Sequence, residues 1–267
     1  MNYIWIGSEK PYLNEPNVIR LNKELVAGHY GGNVAQGAHK NEDALYVLRD
    51  EQDEWTFAAI LDAHRTADSA ELVIDMLKKH GKELERVCRH KESFQMLEAF
   101  ILGKLTNAEF LAVCTQLQGE TSCLFLYQKH NYIWWMSIGD CMAYLLHPEL
   151  ARLGQYMLNQ RQFYEWVGLE NSFSQEIPSY TTGRRQLRQG SSYIVLATDG
   201  LLDTKDQRYE EPEPFMQVWL KSPNLEAGLD ELVHSLHAGG CRDSATLLCW
   251  RVDHNRPAAM PSDMQQG

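Results

Sequence analysis

The most informative stretch of the sequence is residues 193–203, Tyr-Ile-Val-Leu-Ala-Thr-Asp-Gly-Leu-Leu-Asp. Its first half is apolar and β-branched, which predicts a buried strand that runs into Asp199. Asp199-Gly200 is a typical turn dipeptide, and Asp203 before Thr204 is a reasonable helix cap. Taken alone, both carboxylates therefore have ordinary structural explanations.

The same pattern, an acidic residue where an apolar run starts or ends, recurs at four other places. The residues concerned are Glu42 with Asp43, Asp62, Asp140 and Asp243. Because each run predicts a strand, each carboxylate is expected where a strand leaves the core. Carboxylates that meet in a cleft of low dielectric constant repel one another unless a cation lies among them. Oxygen ligands without paired His or Cys favour hard cations, Mg²⁺ or Mn²⁺.

Apolar periodicity along the chain predicts strands, then helices, then strands again. Strands are expected at residues 3–6, 18–21, 25–30, 44–48, 55–61, 122–127, 132–137, 142–146, 193–197 and 245–252. Helices are expected at residues 67–79 with a stop at Gly81, around 94–101, around 110–117, at 214–220 and at 225–236. We predict one domain over residues 1–254, with 147–190 as an inserted, flap-like loop-and-helix segment and 255–267 as a flexible tail.

Composition narrows the class of protein. The chain has 267 residues, 44% of them hydrophobic, with 36 acidic and 25 basic side chains and a net charge of −11. This acidic excess argues against a nucleic-acid partner. Residues 1–10 show no basic stretch followed by an apolar run, so we expect no secretory leader, and no apolar run approaches the roughly 20 residues of a membrane span. The six cysteines form no C-x-x-C pair and lie largely in apolar runs, so we expect reduced thiols in a cytoplasmic protein without a membrane contact.

Six short motifs follow one another between residues 31 and 252. They are Asn41-Glu42-Asp43, Leu61-Asp62-Ala63-His64, Gly119-Glu120-Thr121-Ser122, Ile138-Gly139-Asp140, residues 197–203, and Arg242-Asp243-Ser244-Ala245-Thr246. In order and approximate spacing they resemble the metal-dependent protein serine/threonine phosphatases of the PPM (type 2C) family, bacterial type. The resemblance implies an α+β fold, a four-layer α-β-β-α sandwich with two mostly antiparallel sheets flanked by helices.

The resemblance also implies roles for the motif residues. It implies that Asp62 bridges two Mg²⁺ or Mn²⁺ ions, with the Ala63 carbonyl as a further ligand of one of them. The other ligands of the first ion would be Asp199 and Asp243, and those of the second would be Glu42 and Asp43. A weaker third ion, found in bacterial relatives, would be bound by Asp140 and Asp203. Two ions about 3.5–4 Å apart activate a shared water for in-line attack on a phosphoryl group. His64 matches a histidine proposed as general acid to the leaving alcohol.

The chain departs from the family pattern around the expected phosphate. Residues 62–65 read Asp-Ala-His-Arg, where the family has Asp-Gly-His-Gly or Asp-Gly-Met-Gly, and the family's phosphate-binding arginine corresponds to Ala38. That positive charge is either missing or supplied by neighbouring basic residues. The candidates for phosphate binding are His39, Lys40 and Arg65.

Three functions remain open on the sequence. The first is hydrolysis of phosphoserine and phosphothreonine in a phosphorylated protein substrate by a monomeric Mg²⁺- or Mn²⁺-dependent enzyme. The second is a catalytically weak or inactive module of the same fold that binds a phosphoprotein, which the change at Ala38 motivates. The third is a metallohydrolase that acts on small phosphoesters. Arg184, Arg185 and Arg188 form either a solvated face or a contact for a phosphorylated substrate.

Overall fold

The computed structural model describes residues 1–205 and 209–260. Residues 261–267 of the predicted tail lie outside the described residues. In chain order the strands are Asn2–Ile6 (β1), Asn17–Asn22 (β2), Leu25–Tyr30 (β3), Ala44–Asp50 (β4), Trp55–His64 (β5), Glu120–Lys129 (β6), Tyr132–Ile138 (β7), Met142–Leu146 (β8), Val167–Gly168 (β9), Thr181–Gln186 (β10), Gly190–Ala197 (β11) and Ala245–His254 (β12).

The strands form two antiparallel sheets. The first has the order β1-β4-β5-β6-β7-β10, with β9 paired to β6, and the second has the order β2-β3-β12-β11-β8. The helices are Asp68–Lys79 (α1), Gly81–Arg89 (α2), Ser93–Leu105 (α3), Ala108–Cys114 (α4), Pro148–Ala151 (α5), Pro212–Lys221 (α6) and Leu225–Gly239 (α7). Within the described residues, short 3-10 helices cover Val34–Gln36, Ser172–Ser174 and Asp199–Leu202.

Alternating side chains on each central strand belong to different layers of the core. On β5, Phe57, Ala59 and Leu61 pack with the helices α1 to α4, whereas Ala58 and Ile60 pack against the second sheet. On β12, Leu247 and Cys249 pack with α6 and α7, whereas Leu248 and Trp250 pack against the first sheet. Because both faces of each sheet are covered, these strands read as continuous apolar runs. The predicted four-layer α-β-β-α sandwich is confirmed.

Two predictions about local elements need correction. The first helix, α1, ends at Lys79 as predicted, but Gly81 does not stop the helical region, because it is the first residue of α2. The segment 147–190 is not only loop and helix, since it contains β10, which pairs with β7 at the edge of the first sheet. The other predicted strands and helices agree with the structure to within a few residues at their ends. Within the described residues, the structure has no helix of the length and apolar character needed to span a membrane.

Antiparallel pairing brings the ends of several strands to one end of the sandwich. The start of β4 lies beside the end of β5, with Ala44 opposite Leu61, and the end of β11 lies beside the start of β12, with Ala197 opposite Leu247. The acidic residues that flank these strand ends therefore meet at this end of both sheets.

Candidate active site

Asp62 lies at the centre of a cluster of carboxylates from both sheets. Its side chain sits near the end of β5, and the residue is only 6% exposed. Burial raises the pKa of Asp62 well above its usual range, and the negative charges of Asp43, Asp199, Asp243 and Asp140 raise it further. Five of the carboxylates singled out in the sequence are thus close enough to repel one another.

Asp43 ties the two sheets together at this site. It directly precedes β4 in the first sheet, and its carboxylate accepts hydrogen bonds from the second sheet and its loops: from Thr246 Oγ1 at 2.7 Å, Ser244 Oγ at 2.8 Å and Thr198 Oγ1 at 3.1 Å. Burial nevertheless raises the pKa of Asp43 to about 7, because the three hydroxyl donors only partly offset the loss of water. The hydroxyls fix the orientation of this carboxylate.

Arg161 lies between the carboxylates of Asp140 and Asp199. Its Nη2 is 3.0 Å from Asp199 Oδ2 and 3.4 Å from Asp140 Oδ2, and its guanidinium stacks 4.8 Å from the centre of the Phe163 ring. Burial and the charge of Asp140 raise the pKa of Asp199, whereas a hydrogen bond with Asp62 and the charge of Arg161 lower it. An arginine of the segment 147–190 therefore supplies positive charge inside the acidic cluster.

Neighbouring residues hold Arg161 in this position. The buried Asn159 accepts a hydrogen bond from the Ala143 N–H and donates to Ser137 Oγ and the Cys141 carbonyl. The Gln162 N–H donates to the carbonyl of Gly139, the glycine that turns the chain after β7 with a φ of +91°. The contact between Arg161 and the acidic cluster is therefore anchored on both sides along the chain.

Asp203 shapes the loop that leads into β12. Its Oδ2 accepts the backbone N–H groups of Arg242 and Asp243, both at 2.9 Å. Burial and the charge of Asp199 raise the pKa of Asp243 to about 6. Part of the hydrogen-bonding capacity of Asp203 is thus used to hold Asp243 in place.

A polar cavity of about 380 Å³ opens beside the carboxylates. Its walls include the predicted phosphate-binding residues His39, Lys40 and Arg65. Lys40 Nζ ion-pairs with Glu42 Oε2 at 2.5 Å and donates to the Arg65 carbonyl at 2.9 Å, while His39 Nδ1 lies 3.3 Å from the Gly37 carbonyl oxygen. Basic residues and carboxylates therefore face the same space.

His64 also lines this cavity, at the last position of β5. Its ring meets the Trp166 ring edge to face, with the ring centres 4.9 Å apart. Gly119 permits this part of β5 to lie close to the chain before β6, because a Cβ at Gly119 would stand 2.2 Å from the His64 carbonyl oxygen. Trp166 thus gives the His64 ring a packed neighbour.

The chemistry of the donor set fits a hard divalent cation. The converging side chains carry only oxygen donors, they repel one another, and Asp140 Oδ1 is buried without a hydrogen-bond partner in the described residues. Within residues 1–205 and 209–260, however, no three acidic, histidine or cysteine side chains are arranged to enclose an ion together. Arg161 and Lys40 instead form ion pairs with three of the predicted ligands, Asp140, Asp199 and Glu42.

Solved structures share this architecture. The chain superposes on the serine/threonine phosphatase Stp1 from Staphylococcus aureus with a TM-score of 0.65 at 15% identity, over 88% of this chain and 97% of that one. The chain has the fold of bacterial serine/threonine phosphatases. It also superposes on the Mycobacterium tuberculosis serine/threonine phosphatase PstP/Ppp with a TM-score of 0.59 at 19% identity, over 90% of this chain and all of that one. RsbX, solved in complex with magnesium, gives a TM-score of 0.56 at 13% identity, over 89% of this chain and all of that one. No family model and no curated protein sequence matches the chain.

The structure brings the predicted site residues to one end of the sandwich. The cluster around Asp62 and the adjoining cavity contain Glu42, Asp43, Asp62, Ala63, Asp140, Asp199, Asp203 and Asp243, together with His39, Lys40, His64 and Arg65. Sequence reasoning missed Arg161, because nothing in its polar surroundings separates it from a solvated arginine. It also gave no role to Arg242, although that residue lies within the last motif and lines the cavity.

Proposed function

We propose that the chain hydrolyses phosphoserine and phosphothreonine in proteins, with Mg²⁺ or Mn²⁺ as its cofactor. The single observation that carries this proposal is the convergence on Asp62 of carboxylates from the ends of several strands, beside an open cavity lined with basic residues. Such a cluster is costly to keep near neutral pH, because each carboxylate raises the pKa of its neighbours. A divalent cation removes that cost. The shared fold with bacterial serine/threonine phosphatases supports the same function.

The proposed ligands divide between the two sheets. One ion would be held by Asp62, the Ala63 carbonyl, Asp199 and Asp243. The second would be held by Glu42 and Asp43, and a weaker third by Asp140 and Asp203. When bound, the ions supply an activated water and neutralise charge on the phosphoryl oxygens. The hydroxyl groups of Thr198, Ser244 and Thr246 donate to Asp43 and keep its carboxylate directed from the first sheet towards the second.

The residues of the cavity would act on the phosphoester itself. His64, packed against Trp166, would donate a proton to the leaving serine or threonine oxygen. The basic side chains among the cavity residues would hold the phosphoryl group. The open shape of the cavity suits a phosphorylated side chain that enters from a protein surface.

Phosphate release from phosphoserine and phosphothreonine peptides with Mn²⁺ tests this proposal, with Asp199→Asn as the key variant. The proposal requires turnover by the wild-type chain and its loss in the variant. A wild-type level of turnover in Asp199→Asn would contradict the ligand assignment. Faster turnover of small phosphoesters than of phosphopeptides would instead identify a small-molecule phosphatase.

A catalytically weak or inactive phosphoprotein-binding module is the second candidate. The observation that favours it is that internal cations already engage the proposed ligands, Lys40 at Glu42 and Arg161 at Asp140 and Asp199. Calorimetry with Mn²⁺ beside the activity assay separates the two functions. Metal binding with phosphopeptide binding but without turnover identifies the module.

A further inference from the structure

A phosphate group in the cavity would meet an excess of negative charge. Glu42, Asp62, Asp203 and Asp243 line the same walls. The phosphoryl oxygens that face the protein rather than an ion therefore need positively charged donors, and arginine suits them because it can donate two parallel N–H bonds.

Two of the basic side chains at the site are already engaged. Lys40 is held by Glu42 and by the Arg65 carbonyl. Arg161 lies with Asp140 and Asp199 and does not line this cavity. Arg65 is exposed and has the left-handed backbone conformation, with a φ of +73°.

Arg242, like Arg65, has a side chain that is free among the described residues, and its backbone N–H is held in place. Asp203 accepts its N–H at 2.9 Å, and the side chain is exposed, lines the cavity and forms no ion pair or side-chain hydrogen bond with the described residues. Its guanidinium can therefore turn to a ligand without breaking an existing contact.

Arg242 also lies next to Ala38, the position whose side chain is too short to reach a phosphate. A Cβ at Gly32 would stand 2.1 Å from the Arg242 carbonyl oxygen and 2.8 Å from Ala38 Cβ. Arg242 and Ala38 therefore both lie against Gly32. Arg242 Nε lies 3.7 Å from the Cβ position of Gly37, alongside the loop that carries Ala38. A cation at residue 242 thus reaches the wall of the cavity on which residue 38 lies.

We propose that Arg242 is the phosphate-binding arginine of this chain and serves from the loop before β12 in place of residue 38. This inference rests on the proposed function, since it assigns the residue that holds the phosphoryl group of the substrate. It makes Arg242 a substrate-binding residue, with Arg65 as a weaker contact on another wall of the cavity.

Calorimetric titration with inorganic phosphate, in the presence of saturating Mg²⁺, tests the assignment. Replacing Arg242 by alanine should weaken phosphate binding about tenfold, which corresponds to about 1.4 kcal/mol, because the charged donor to the phosphoryl oxygens is lost. Arg242→Lys should recover part of the affinity, because lysine keeps the charge but not the paired donors. Mg²⁺ binding should be unchanged, because Asp203 accepts the backbone N–H of residue 242 and not its side chain.

The matched control is Arg256→Ala, which removes an exposed arginine just after β12, at the opposite end of that strand from the site. It should bind phosphate as the wild-type chain does. An Arg242→Ala chain with wild-type phosphate affinity would overturn the assignment, and so would a wild-type chain that binds no phosphate.

Phosphopeptide turnover, measured separately, distinguishes this inference from the proposed function. Turnover whose KM is unchanged in Arg242→Ala contradicts the inference alone. Phosphate binding that depends on Arg242 in a chain without turnover supports the inference and contradicts the proposed hydrolase.

Discussion

Replacing Arg161 by glutamine should make the protein bind Mn²⁺ more tightly. Arg161 holds Asp199 Oδ2 at 3.0 Å and Asp140 Oδ2 at 3.4 Å, and its side chain is only 27% exposed. An incoming ion that uses either carboxylate must compete with this guanidinium. Glutamine keeps most of the length of the side chain but removes the charge, so the competition is lost.

The size of the effect follows from the strength of such contacts. A hydrogen bond between charged groups contributes about 1.5–3 kcal/mol when it is partly buried. Arg161 can shift towards water when an ion binds, which recovers part of that energy. We therefore expect one Mn²⁺ site to tighten about tenfold, which corresponds to about 1.4 kcal/mol.

Isothermal titration of the metal-free chain with Mn²⁺ measures this directly. Arg184→Gln is the matched control, because Arg184 is an exposed arginine of the same segment and lies on β10. The metal-free Arg161→Gln chain should also unfold at a lower temperature, since Asp140 and Asp199 then repel without a counter-ion. Unchanged or weaker Mn²⁺ binding in Arg161→Gln would refute the competition between Arg161 and the metal.

Three other predictions concern stability and catalysis. The folded-state pKa values of Asp43 and Asp243, about 7 and about 6, lie above the unfolded value. The metal-free protein should therefore lose stability as pH rises from about 4 to 7, because the unfolded chain releases these protons first. Thermal unfolding in chelator measures this, and a stability that rises over that interval contradicts it. Gly200→Ala should lower the free energy of unfolding by about 1–3 kcal/mol, because its Cβ would stand 1.8 Å from the Ser244 carbonyl oxygen; urea unfolding at wild-type stability would disprove it. Trp166→Ala should lower kcat about tenfold by releasing the His64 ring, whereas Trp166→Phe should retain most activity; equal kcat values in steady-state assays would rule out a positioning role.

The carboxylate cluster was largely predictable because its signal is local. The apolar runs stop at Asp62 and Asp199, each within two residues of the end of a buried strand, and short strands that are covered on both faces can be predicted from composition. That these ends meet was not predictable from periodicity. It depends on β4 and β5 pairing in one sheet, and on β11 and β12 pairing in the other. The order of the motifs, through its resemblance to a known family, supplied that step.

The elements that sequence reasoning missed carry weak local signals. The strand Thr181–Gln186 is polar and lies at a sheet edge, where no apolar alternation is required. A helix stop at Gly81 is wrong, because Gly81 opens α2, whose buried Leu84 and Val87 supply the stabilising contacts. Arg161 reaches Asp199 through tertiary packing around Asn159, and such a contact between distant residues leaves no pattern in the sequence.

Phosphate release from a phosphoserine peptide, measured on one protein sample with Mn²⁺, after chelation and after Mn²⁺ is restored, tests the central claim most directly. If the carboxylates around Asp62 hold the ions that drive hydrolysis, turnover should stop with chelator, return with Mn²⁺ and be absent from Asp62→Asn under all conditions. Turnover that persists in chelator, or in Asp62→Asn, would contradict a metal-dependent hydrolase at this site.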